Sequence, residues 1–376
     1  MIKNILFDVD GVLLSEERYF DASALTVWEL LASSHYLGMD QEGFSPQFSD
    51  PDITRIRKEV FYEDQILQFL KSRGLNANWD MIYITFSFQL IHLLSQIRKE
   101  EQKNISRWLS GDITRVTLRE IGEVLSKYSP AMDFKAFLPA FEKSTATKQD
   151  LTLYLNDLAK KKLQVDTNIF RGQSALWSVC EHVSQEWYVG DEHVEKSTGR
   201  PSVQSGKKGF LSEEKPLAEP EEIAGMFSSL LEKGLSIGIG TGRPELETIE
   251  PFRTLGWLDL FNRNKIVTAD DVLKTERIVN AKDSLSKPHP FTYVYALSEK
   301  QDARHAVNLD LPLPDGDETL IVGDSLADLL AARKMGCRFA AVLTGLSGQD
   351  ARREFEEQGA DYIVNTVLEV EKVLKN

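Results

Sequence analysis

Short apolar runs that stop at polar turns recur along the C-terminal part of the chain. They are LSIGIGTG (235–242), NKIVTADD (264–271), TLIVGDS (319–325) and RFAAVLTG (338–345). Longer stretches separate them. In EPEEIAGMFSSLLEKG (219–234), Ile223, Met226, Phe227, Leu230 and Leu231 fall at helical spacing. Strand and helix in alternation predict a parallel sheet with helices on both faces. A further run, NILFDVDGVLL (4–14), supplies one more strand through Ile5, Leu6 and Phe7. It ends in two acids, Asp8 and Asp10. Paired carboxylates at the end of a buried strand repel one another and are costly to desolvate, so a cation has to compensate for them.

The stretch between this first strand and the rest of the sheet lacks the strand–turn–helix rhythm. DASALTVWELLASSHYL, YEDQILQFLKSRG, WDMIYITFSFQLIHLLSQIRKE and NIFRGQSALWSVCEHVSQEWYV read as helices rich in Leu, Trp, Phe and Tyr. The segment 195–220, rich in Gly, Ser, Pro and Lys, reads as the loop that returns the chain to the sheet. Two domains are therefore expected: a discontinuous α/β domain of residues 1–14 and 217–376, and an inserted helical domain of residues 15–216. A chain of 376 residues has room for both.

The composition narrows the function classes. A formal net charge of −14 argues against nucleic acid or an anionic membrane held by general electrostatics, though not against a small anion bound locally. The two cysteines, Cys180 and Cys337, are too few for a disulfide framework. The N-terminus runs into the first strand with no signal-peptide pattern. Both features lead to a cytoplasmic expectation. The uncharged stretch 81–97 is short for a membrane span and is interrupted by Thr85, Ser87, Gln89 and His92, so it reads as a buried helix.

Four polar stretches end strands or lie beside them: Asp8-Val9-Asp10-Gly11-Val12, Thr241-Gly242-Arg243-Pro244, Lys287-Pro288-His289-Pro290, and VGDSLADLLAARKMG (322–336) with Asp324 and Asp328. Taken singly, each also reads as an ordinary turn, helix cap or solvated charge. Taken together at one edge of a parallel sheet, they fit phosphoryl transfer. One carboxylate attacks phosphorus and a second moves protons. A hydroxyl, a backbone N–H and a lysine hold and neutralise the phosphoryl oxygens. Hard carboxylate oxygens suit Mg²⁺, which would also offset the repulsion among Asp8, Asp10 and Asp324.

DVDGV, TGR, KPHP and GDSLAD resemble, in order and spacing, the four motifs of the haloacid dehalogenase (HAD) superfamily. The resemblance covers the sheet domain and is weak over the insert. It implies a Rossmann-like core, a helical cap inserted after the first strand, and Mg²⁺-dependent phosphatase activity on a small phosphorylated metabolite. By position, Asp8 would be the nucleophile and Asp10 the general acid/base. Thr241 and Gly242 would bind the phosphoryl group and Lys287 would stabilise its charge. Asp8, Asp10 (through its main-chain carbonyl), Asp324 and Asp328 would hold the metal. The acid at position 10 speaks for phosphate esters over halides. A phosphomutase with the same Asp8 and Asp10 stays open, as does a non-catalytic binding module on the same fold. The insert is far larger than the usual helical cap of the family. Its candidate substrate contacts are Arg18 near the hinge and the cations Lys196, Arg200, Lys207 and Lys208, although those four cations read more readily as a solvated loop. Trp28, Trp79, Phe86, Phe88, Trp177 and Trp187 read as packing residues, and His289, between two prolines, as a framework residue.

Overall fold

The computed structural model describes residues 1–40, 43–75, 77–147 and 150–374. They form two compact units, Met1–Glu17 with Leu211–Asn376, and Arg18–Phe210.

The first unit is built on a six-stranded, all-parallel sheet: β1 (Asn4–Phe7), β2 (Ser236–Gly240), β3 (Ile266–Val267), β4 (Thr319–Gly323), β5 (Arg338–Val342) and β6 (Tyr362–Val364). The strand order is β3-β2-β1-β4-β5-β6. This is a Rossmann-like α/β fold. The strands are buried on both faces, which is why they read as continuous apolar runs rather than alternating ones. Ile5 and Phe7 of β1 join Leu320 and Val322 of β4 in one core, which the helix Pro220–Glu232 covers with Ile223, Met226, Phe227 and Leu230. Leu6 and Ile321 point into the opposite core, covered by Tyr293 and Val294 of the helix Phe291–Leu297 and by Leu329 and Ala332 of the helix Leu326–Met335.

The order has one consequence for function. From β1 the chain builds outward through β2 and β3, then returns to the other side of β1 to lay down β4, β5 and β6. The crossover connections diverge between β1 and β4, and this switch point is where open α/β sheets leave a crevice for ligands. Beyond β1, the outgoing and returning segments are paired: Ser15 N–H donates to the Lys215 carbonyl at 2.8 Å and Leu217 N–H to the Leu13 carbonyl at 3.0 Å.

The second unit is helical. Its central helix, Asn78–Gln96, is buried nearly all round and packs against the helices Asp150–Leu163 and Ala175–Val189. A helix apolar on every side belongs in a core. Two of its polar side chains are paired with groups outside the helix. Gln89 Nε2 donates to the Asp133 carbonyl at 2.8 Å, and Asp80 accepts from Trp177 Nε1 at 2.7 Å. Among the described residues no helix is long and apolar enough to cross a membrane. Phe86, Phe88 and Trp187 are buried, while Trp28, Trp79 and Trp177 are half-buried.

Two expectations for this unit need correction. The return segment does not begin at residue 195, because the helix Asp191–Thr198 occupies its start. Acids in the first turn, Lys196 in the last and left-handed Gly199 (φ 72°) at the stop account for that helix. The four cations also form no solvated cluster. Lys196 and Lys208 are exposed and Arg200 lies 3.4 Å from Glu181, but Lys207 is buried. Its ammonium bonds Glu29 at 3.0 Å and Glu186, beneath the Trp187 ring. Asp191 ties this part of the loop down by accepting the N–H groups of Gly206 and Lys207. Arg18 is likewise buried, 3.1 Å from Asp21 and over the Phe210 ring.

The Lys207 cluster holds one cation between two enclosed carboxylates. Burial, reinforced by Glu186 and opposed by Lys207, pushes Glu29 up to about 7. The folded state therefore keeps a proton on Glu29 that the unfolded chain releases at its ordinary value of 4.5. This contribution to stability is complete below pH 4.5 and is lost as pH rises through 7. At 1.36 kcal/mol per pKa unit the swing is about 3 kcal/mol. Glu29→Gln, which stays neutral, is expected to flatten that fall. Thermal melting of both proteins from pH 4 to pH 8 measures it, and parallel curves would contradict the assignment.

Candidate active site

The candidate site lies within the sheet unit, where β1 and β4 end side by side. Asp8 follows the last residue of β1, and its N–H donates to the Val322 carbonyl of β4 at 2.9 Å. Asp324 follows Gly323, the last residue of β4. The two acids therefore meet at the switch point because their strands are neighbours in register, Phe7 opposite Val322.

Asp328 stands in the first turn of the helix Leu326–Met335 and is fully buried. Ser325 caps that helix, and its hydroxyl bonds Asp328 Oδ2 at 2.6 Å. The Tyr293 hydroxyl donates to Asp328 Oδ1 at 2.7 Å. Lys287 joins the set: its Nζ is 2.8 Å from Asp8 Oδ1 and 2.8 Å from Asp328 Oδ1, with the side chain 12% exposed. Val9 N–H also donates to Asp8 Oδ1 at 2.8 Å, which fixes the carboxylate plane. His289 accepts the Phe291 N–H at 3.2 Å at the head of the helix Phe291–Leu297, a framework contact.

The electrostatics follow from this geometry. Burial, with Asp328 and Asp10 adding to it, lifts Asp8 to about 7 despite the opposing pull of Lys287. Burial also raises Asp324 well above the carboxylate range, and Asp8 and Asp328 add to it. Asp328 goes the other way. Burial would raise it, but Lys287, Ser325 and Tyr293 together hold it below its ordinary value. For Lys287, burial is outweighed by Asp328 and Asp8, and the ammonium is held more firmly than usual. One lysine thus faces three acids.

That imbalance is what a divalent cation would correct. One oxygen from each of Asp8, Asp324 and Asp328 lies within 4.8 Å of the others. Three carboxylates converging in this way are a donor set suited to Mg²⁺. Two glycines make room for the Asp324 carboxylate. A side chain on Gly11 would start 2.0 Å from Asp324 Oδ2, and one on Gly345 would start 2.1 Å from the same oxygen. Gly11 also has a φ of 68°, which only glycine adopts without strain.

The remaining expected residues fall into place differently. Thr241 is buried one residue beyond β2, and its hydroxyl accepts the Arg243 N–H at 3.1 Å. Gly242 is exposed in the following turn. The Asp10 carboxylate is not among the three converging acids. Arg243 holds it instead, with Nε at 2.8 Å and Nη2 at 2.6 Å from Oδ1. Sequence reasoning assigned no part to Arg243, Tyr293, Ser325 or Glu214, which bonds Arg243 Nη1 at 2.6 Å. Arg243 stands inside the TGR motif, yet nothing local marks it as a buried ion-pair partner. Tyr293 reads only as one more apolar position of a short helix.

The HAD-hydrolase-like family model matches residues 284–370, the stretch that carries Lys287, Asp324 and Asp328. An X-ray structure from the Northeast Structural Genomics Consortium, target ZR25, is 38% identical over 100% of this chain and 99% of its own, with a TM-score of 0.88. The chain belongs to the haloacid dehalogenase superfamily. It is an enzyme of the hydrolase type within that superfamily. Lower likenesses extend to CbbY from Rhodobacter sphaeroides in complex with phosphate (15% identity, 98% and 96% of the chains, TM-score 0.40) and to a hydrolase from Pseudomonas syringae (14%, 100% and 98%, TM-score 0.39). At those scores neither bears on the argument. No curated protein matches the chain.

In this HAD-superfamily member the unbalanced acids give a direct test. Millimolar Mg²⁺ is expected to raise the melting temperature, because a ligand bound only by the folded state stabilises it, by about 2.7 kcal/mol at 100 times its Kd. Asp324→Asn removes one repelling charge at nearly constant shape. It should melt higher than the wild type in chelator and gain little from Mg²⁺. Calorimetry of both proteins with and without the cation measures this, and an equal Mg²⁺ shift in the variant would remove Asp324 from the site.

Proposed function

We propose that the chain is a Mg²⁺-dependent phosphohydrolase that acts on a small phosphorylated metabolite through an aspartyl-phosphate. The observation that carries this reading is the Asp8 carboxylate at the switch point, braced by Val9 N–H and Lys287 beside two further converging acids. Asp8 attacks phosphorus, and the bond to the ester oxygen breaks as the bond to Asp8 forms. Lys287 neutralises charge on the phosphoryl oxygens, and the Thr241 hydroxyl and Gly242 N–H hold them. Asp10 gives a proton to the departing oxygen and then takes one from the water that hydrolyses the acyl phosphate. Asp8, Asp324 and Asp328, with the Asp10 main-chain carbonyl, would hold Mg²⁺, which would supply positive charge for the phosphoryl oxygens.

The inserted unit, Arg18–Phe210, is proposed to act as the cap that recognises the rest of the substrate. It enters the chain directly after the catalytic strand, where closing elements of this kind govern water exclusion and selection.

Two variants test the chemistry. Asp8→Asn should fold and melt cooperatively yet show no detectable turnover, since an amide cannot form the acyl phosphate. Asp10→Asn should turn over about 10²–10⁴-fold more slowly, the usual contribution of a positioned acid and base. Phosphate release over a panel of phosphorylated metabolites, with Mg²⁺ and then with chelator, is the measurement. Release without a bisphosphate activator separates the hydrolase from a phosphomutase. Wild-type turnover by Asp8→Asn would end the reading.

A further inference from the structure

Arg243 is the most enclosed cation beside the site, its side chain 1% exposed, and it belongs to two carboxylates at once. Its Nη1 bonds Glu214 at 2.6 Å, and that carboxylate is also 1% exposed. The Glu247 main-chain carbonyl accepts from the same nitrogen at 3.3 Å. The opposite edge of the guanidinium, Nε and Nη2, converges on Asp10 Oδ1. Asp10 itself is 30% exposed. One end of this chain of charges is therefore anchored in the interior and the other opens outward.

We propose that Arg243, anchored by Glu214, is a positioning residue that sets where the Asp10 carboxylate stands when the proton is transferred to the leaving oxygen. This rests on the hydrolase reading above. Two N–H groups converging on one oxygen fix the place of that oxygen against the guanidinium. They leave Oδ2 as the oxygen that exchanges the proton. A lysine cannot reproduce this, because an ammonium is a point charge without a planar fork. Glu214 matters because an arginine side chain has many rotamers and loses its aim unless its far end is held. The Arg243 main-chain N–H donates to Thr241 Oγ1, so the same residue also holds the hydroxyl proposed to bind the phosphoryl group. In the step itself the Asp8–phosphorus bond forms, the phosphorus–ester oxygen bond breaks, and the proton on Asp10 Oδ2 passes to that oxygen.

A purely structural role and a positioning role differ in one measurable respect. Proton donation matters in proportion to the basicity of the leaving group. Phenolate, with a conjugate acid pKa near 10 as in tyrosine, needs it far more than p-nitrophenolate. The test is kcat/KM in Mg²⁺ for phenyl phosphate and p-nitrophenyl phosphate, compared for wild type, Arg243→Lys and Glu214→Gln. Arg243→Lys is expected to lose roughly 10- to 100-fold on phenyl phosphate and less than about 3-fold on p-nitrophenyl phosphate, within the range attributed to a general acid. Glu214→Gln, which keeps an acceptor oxygen in place, should lose less in the same direction, and it carries the test if Arg243→Lys fails to fold. Equal losses on the two esters, or none, would overturn the inference while leaving the hydrolase reading intact. A wild type that releases phosphate from neither ester nor from any phosphorylated metabolite of the panel would overturn the hydrolase reading, and the inference with it.

Discussion

The ammonium of Lys287, set between Asp8 and Asp328, is the contact on which the rest of the sheet unit's site depends. Three acids are brought to the ends of two neighbouring strands and the head of one helix. At that depth water cannot screen them, and each would otherwise take up a proton. The lysine offsets part of that cost, and Tyr293 and Ser325 spend their hydroxyls on Asp328. The remainder is left unbalanced, with Asp8 and Asp324 both pushed up by burial. Three converging carboxylates, built from hard oxygens and outnumbering the one lysine beside them, are a donor set that would suit a divalent cation.

The inserted unit contains a second buried lysine between two carboxylates, and the contrast is instructive. Lys207, Glu29 and Glu186 have no exposed side-chain surface, and Trp187 lies against the ammonium. That cluster is closed. It ties the return loop to two helices, and removing one partner from such a pair strands the others without compensation. The Lys287 cluster is open at one side and carries a third acid with no cation of its own within it. The same ion-pair physics gives a closed fastener in one unit and a partly open cluster in the other. The difference is access, and the count of charges left over.

Arg243 shows how the two demands combine. Its anchored end, on Glu214, is closed like the Lys207 cluster, and its outward end holds the partly exposed Asp10. A rigid, permanently charged group suits that position, since it can be buried without losing its proton.

Much of the sheet unit was legible in the sequence. Apolar runs such as TLIVG and SIGIG, each followed by a polar turn, specify parallel strands, because a strand buried on both faces has to be apolar throughout. Asp8, Thr241 and Asp324 could be singled out because they sit just beyond strand ends, where polar groups escape the core, whereas Asp328 stands in the first turn of a helix and Lys287 just ahead of one. The buried helix at 78–96 was legible for the same reason, since hydrophobic pattern is a property of neighbours along the chain. What the sequence left open was which charge meets which. Lys207 reads as part of a basic, solvated loop, and only packing places it beneath Trp187 with Glu29, 178 residues away. Arg243 reads as a turn residue, and its partner Asp10 lies 233 residues away. Local pattern determines which segments become strands and helices and which residues stand at their ends. The pairing of buried charges is decided only when the sheet brings distant segments together, because the desolvation that makes those pairs necessary does not exist until the core has closed around them.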